Sequence, residues 1–103
     1  LNDMAYQLTP QAEQDLEEIW HFGAQTWSEN QADKYLDELV SVFELISIMP
    51  NLAPLRHNFE PPVHIHVHHQ HVIIYNLVGE NIVIIRILGG KQNWPVLLKE
   101  LDF

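Results

Sequence analysis

Five of the seven histidines in this 103-residue chain fall within eight consecutive positions, as His64, His66, His68, His69 and His71. Imidazole does two kinds of chemistry near neutral pH. The neutral ring ligates Zn²⁺, Cu²⁺ or Ni²⁺, and the same ring moves protons to and from a reacting group. On an extended strand His64, His66 and His68 share one face at intervals of about 7 Å. His69 and His71 join them only if the chain turns at 68–70. No pair has the helical HExxH spacing of a zinc hydrolase. The default reading is histidines displayed on the solvent face of an edge hairpin, with no metal and no cofactor assigned. The alternatives are a histidine-rich metal-binding module and a partner contact tuned by protonation at about pH 6.

Cleaving RNA needs more than proton transfer, because positive charge must meet the developing phosphorane. The chain has five Lys and Arg against 14 acidic residues, for a formal charge of −9. Its cations Lys34, Arg56, Arg86, Lys91 and Lys99 are scattered, whereas phosphate binding needs them clustered. Direct nucleic-acid binding is therefore not expected, and a protein partner with a basic face is. Arg86 lies inside an apolar strand and reads as a structural residue bonded to a carboxylate or to carbonyls. Ser, Asp and Glu show no spacing that demands catalysis, so the reading leans away from an enzyme. The absence of cysteine excludes disulfides and thiolate metal sites. No apolar run approaches the ~20 residues that span a bilayer, and no charged-then-apolar leader opens the chain. The expectation is a cytoplasmic protein with no membrane contact.

The elements that must position these residues follow from periodicity. Residues 1–103 are expected to form one domain with a single modest core. Tyr6-Gln7-Leu8 reads as a short first strand. Thr9 is an N-cap with Pro10 at the first helical position. Ala12, Leu16, Ile19, Trp20, Gly23 and Trp27 then mark one helical face, with Glu13, Asp15, Glu17 and Glu18 opposite. Ser28-Glu29-Asn30-Gln31 has the form of a capping box and starts a second helix. The stripe of that helix is Ala32, Tyr35, Leu36, Leu39, Val42, Phe43, Ile46 and Met49, and Pro50 ends it. Glu13, Glu17, Glu18 and Glu38 read as a solvated face open to a basic partner segment. So short a connection folds the two helices into an antiparallel hairpin.

Asn51 to Pro62 reads as an irregular loop. Strands follow at Val63–Val67, Val72–Leu77 and Ile82–Leu88, with a turn at Val78-Gly79-Glu80-Asn81 between the last two. They are too close in sequence for helical crossovers and form an antiparallel meander. The tail from Trp94 to Phe103 is short, partly apolar and compatible with helix. The fold class is α+β: an N-terminal strand and a helix hairpin packed on a small antiparallel β-sheet.

In this order and spacing, "YQLTPQAEQDLEEIW", "QADKYLDELVSVFELISIMPNLA", "HVIIY" and "IVIIRIL" resemble the ParE toxins of the RelE/ParE superfamily, from about Tyr6 to Asn93. The resemblance implies the toxin of a type II toxin–antitoxin pair, inhibiting DNA gyrase and neutralised by a ParD-like antitoxin that wraps around it. It also allows a homo-oligomer, or a hetero-oligomer with the antitoxin. RelE-like relatives, the alternative, cut messenger RNA on the ribosome with basic and aromatic residues. His71 and Tyr75 match the family's histidine and tyrosine. Gly89 replaces its usual histidine after the last strand, and Lys91 stands where arginine is common. The residues expected to contact target or antitoxin are Trp20, Arg56, Tyr75, Arg86, Lys91 and Trp94.

Overall fold

A computed structural model describes residues 6–91 and 95–96. Strand β1 (Tyr6–Leu8) leads into helices α1 (Pro10–Thr26) and α2 (Glu29–Ile48). Four strands follow: β2 (Leu55–Arg56), β3 (Val63–His68), β4 (His71–Val78) and β5 (Asn81–Gly89). The N-caps are those the sequence calls for. Thr9 Oγ1 accepts from Ala12 N at 3.0 Å and Ser28 Oγ accepts from Gln31 N at 3.1 Å. Each satisfies an N–H that the first helical turn leaves without a partner. Thr9 has a second duty, since its hydroxyl also donates to Ile85 O at 2.7 Å and ties the start of α1 to β5.

The sheet order is β1-β5-β4-β3-β2. The run from β2 to β5 is the antiparallel meander, while β1 returns to pair in parallel with β5, Gln7 opposite Val83. The sheet is therefore mixed rather than purely antiparallel. The parallel pair is available because the helices and the whole meander separate its two strands. Within the expected loop, Leu55 and Arg56 pair with His64 and Val63 as β2. That pairing moves β3 off the sheet edge.

The helices run antiparallel, in contact at the small pair Gly23 and Ala32. Their inner stripe packs on one sheet face, where Leu39, Phe43 and Ile46 meet Ile73, Tyr75, Ile82 and Ile84. The other sheet face is apolar too. Val63, Ile65, Val72, Ile74, Ile85 and Leu88 pack there with Phe59 from the loop before β3. Every residue from Val72 to Tyr75 is buried, as in a strand covered on both faces. Two residues assigned to the helical stripes lie outside the core: Trp27 and Met49 are exposed. Of the tail, Pro95 and Val96 are helical, and the remainder lies outside the described residues.

Candidate functional site

A cleft of ≈ 750 Å³ opens between the helix hairpin and the ends of β4 and β5. Its walls include Asp15, Phe22 and Trp27 from the α1 side, Tyr35 and Glu38 from α2, His69 from the β3–β4 turn, and His71 and Arg86 from the sheet. Three local constructions shape it.

The first is a carboxylate clamp. Periodicity sets Asp15 on the side of α1 opposite the apolar stripe, yet it is only 7% exposed. It accepts from Arg86 Nε at 2.7 Å, from Arg86 Nη2 at 2.8 Å and from Ile87 N at 2.9 Å. The bond to Ile87 comes where the β4–β5 ladder is irregular. Ile74 faces Arg86 but Tyr75 faces Ile84, so Ile85 is an extra residue in β5. Its hydrogen bonds to the Asp15 carboxylate push the Arg86 guanidinium further up, against the opposing effect of burial. Arg86 is thus a structural residue, as its apolar strand suggested, and its guanidinium is already neutralised.

The second is a Tyr35–histidine cluster. The Tyr35 hydroxyl lies 2.6 Å from His71 Nδ1 and 3.4 Å from the His68 carbonyl oxygen. Burial, reinforced by Glu38, pushes the Tyr35 hydroxyl up to about 12. Tyr35 therefore stays protonated, and donation to the neutral imidazole is the natural pairing. His71 is pushed down by burial first and by His68 next, with Asp15 acting the other way. His66 is lowered for the same two leading reasons.

The third is the β3–β4 turn. His69 has φ 52, in the left-handed region, which histidine enters more readily than most residues. This breaks strand alternation and lets the neighbouring imidazoles of His68 and His69 both reach α2. His68 Nε2 lies 3.3 Å and His69 Nε2 3.7 Å from Glu38 Oε1. Among the described residues, Glu38, His68 and His69 form a group with ligand atoms all within 4.8 Å of one another.

These positions correct the expectation of solvent-facing histidines on an edge hairpin. His64, His66 and His68 do share a face, but it is the helix-covered one, since His64 and His66 pair with the core residues Tyr75 and Ile73. His64 is 6% exposed, stacks on Tyr75 at 4.8 Å and donates from Nδ1 to Ala53 O at 2.6 Å. It is a core histidine. Of the five, only His69 is exposed.

The expected contact residues do not gather in one place. Tyr75 is fully buried, its hydroxyl donating to Pro50 O at 2.8 Å and accepting from Ala53 N at 3.3 Å. A partner cannot touch it, and its role is to hold the loop after α2. Trp20 is half-buried and joins the helices by donating to Asp33 Oδ1 at 2.8 Å. Arg56 is exposed on the edge strand β2, and Lys91 is exposed after β5, toward the other side of the sheet. Trp94 lies outside the described residues. Phe22 was missed altogether. It is 61% exposed and packs edge-on against Trp27, itself 62% exposed. The available signal was an aromatic residue lying off the apolar stripe of α1.

Comparison with known proteins agrees with this architecture. Residues 6–94 match the family described as ParE toxin of type II toxin-antitoxin system, parDE. The chain is 32% identical over 88 residues to Toxin ParE1 of Caulobacter vibrioides, covering 85% of this chain and 91% of that protein. It is 29% identical over 89 residues to Toxin ParE1 of Mycobacterium tuberculosis, with the same coverage of 85% and 91%. In structure it is similar to a chain of the chromosomal ParDE TA system from P. aeruginosa. The TM-score is 0.73 at 20% identity, over 84% of this chain and 95% of that one. At that identity the likeness concerns the fold.

Proposed function

The chain belongs to the ParE toxin family of type II toxin–antitoxin systems, and from that premise we propose that it binds and inhibits DNA gyrase without chemistry of its own. A ParD-like antitoxin holds it inactive. Gyrase is the target that the family points to. The observation that carries the binding mode is the cleft, which joins exposed aromatic surface at Phe22 and Trp27 to the carboxylates of Glu18 and Glu38. An amphipathic antitoxin segment with apolar and basic side chains matches both features, in the helix-in-groove mode. The net charge of −9 steers such a basic segment toward the toxin. Action in the cytoplasm follows from these two partners, and among the described residues no helix is long and apolar enough to cross a membrane.

One observation favours the RelE-like alternative. Tyr35 and His71 are hydrogen-bonded at 2.6 Å in the cleft wall, and their residue types could serve as acid and base. Against it stands Arg86, whose charge Asp15 already takes up. The discriminating experiment adds the purified full chain to gyrase and relaxed plasmid. Loss of supercoiling that the antitoxin restores is the expected result. Unchanged supercoiling, with transcripts cut at codon boundaries after induction in cells, would replace gyrase inhibition by ribonuclease action.

A further inference from the structure

We propose that Glu38, His68 and His69 form a divalent transition-metal site, with Zn²⁺ as the fitting ion, that clamps α2 to the β3–β4 turn. The three side chains come from two elements that nothing covalent joins locally. His68 ends β3, His69 is the first residue of the turn, and Glu38 lies 30 positions away on α2. Two imidazole nitrogens and one carboxylate oxygen are a donor set that zinc accepts, with a fourth position left open. Bonds of about 2.0–2.1 Å in a tetrahedron put neighbouring ligand atoms about 3.3 Å apart. The contacts to Glu38 Oε1 are 3.3 and 3.7 Å, and the widest spacing in the group is within 4.8 Å. His69 and Glu38 are exposed, so their side-chain ends have room to close that remaining gap.

The surroundings hold the ligands in place. The left-handed backbone at His69 turns two successive imidazoles to the same side. The Tyr35 hydroxyl reaches the His68 carbonyl, and its ring lies 5.8 Å from the His68 ring and 6.3 Å from the His69 ring. Two other histidines of the 64–71 block are committed elsewhere, His64 to Ala53 and His71 to Tyr35. Among the described residues the group draws on two of the chain's seven histidines and one of its 14 acidic residues, so it is a particular juxtaposition rather than a general property of a histidine-rich stretch. Glu38 and His69 also line the cleft, so the open coordination position sits beside the surface assigned to the antitoxin.

The test is titration of the full chain with Zn²⁺ alone, by calorimetry and by competition with a chromophoric chelator. The expected result is one equivalent bound at micromolar affinity or tighter, with a raised midpoint of thermal unfolding. Two variants keep the fold. Glu38→Gln is isosteric, and His69→Asn retains a residue that tolerates the left-handed backbone. Each should weaken binding by at least about 10-fold, the lower bound seen when even an outer partner of a ligand is removed. Each should also abolish the thermal shift. His57→Ala, at an exposed loop position outside the group, should bind as the parent does. Binding only at millimolar Zn²⁺, or equal binding by E38Q, H69N and the parent, would overturn the proposal.

Discussion

Replacing Arg86 by methionine removes the guanidinium while keeping most of the side chain's length across β5. Asp15 would then retain one of its three donors, the Ile87 N–H, and lose the bonds of 2.7 and 2.8 Å. Its carboxylate would remain buried and charged. Breaking a buried ion pair from one side costs about 3–5 kcal/mol, because the surviving charge has no compensation. The Arg86 side chain is 24% exposed and that of Asp15 8%, so water repays part of this penalty. A loss of about 2–4 kcal/mol is expected, a large share of the ~5–15 kcal/mol typical of a domain. Urea unfolding of the full chain reads it as a lowered midpoint at unchanged slope. Thermal unfolding should drop by about 10–20 °C. In the double variant Asp15→Ala with Arg86→Met the orphan charge is gone, so part of the stability returns. The expected coupling exceeds about 1.5 kcal/mol. A single-variant loss under about 1 kcal/mol, the range of an exposed pair, would refute the reasoning. So would additivity of the two substitutions within about 0.5 kcal/mol.

Tyr75→Phe should destabilise by about 1–3 kcal/mol, because it leaves Pro50 O and Ala53 N without their shared partner; chemical denaturation measures this. Thr9→Ala removes both the cap of α1 and the bond to Ile85 O, and should cost about 1–2 kcal/mol in the same assay. Phe22→Ala and Trp27→Ala should change stability by no more than about 0.5 kcal/mol, as both side chains are largely exposed. The same pair should weaken antitoxin binding about 30-fold or more if it anchors the interface. Calorimetric affinity equal to the parent's would remove the cleft mouth from the interface.

Much of this architecture was legible because its signals are local. Thr9, Pro10, Ser28 and Pro50 delimit the helices through backbone hydrogen-bonding rules that depend on neighbours alone. The turn at Gly79, with φ 64, separates the last two strands as its position suggests. The family resemblance rests on the same ordered signals, and the family match over residues 6–94 spans all of them. Pattern reasoning failed where a residue's fate depended on a distant partner. Asp15 looks like any acid on a helix that also carries Glu13, Glu17 and Glu18. Arg86, 71 positions away, makes it a buried anchor. Trp27 fits the helical stripe, but it is the C-cap that follows the last residue of α1, and it is left exposed.

The histidine block shows the division most clearly. Its residues by themselves determined a strand, a turn and a following strand, with His64, His66 and His68 on one face, because side-chain direction in a strand alternates with period two. They did not determine which face that was. Adding β2 at one edge and the helix hairpin above turned that face inward, so one imidazole entered the core and two others came to surround Glu38. Alternation is a property of one chain segment. Burial and convergence are properties of what is packed against it, and only the tertiary structure supplies that.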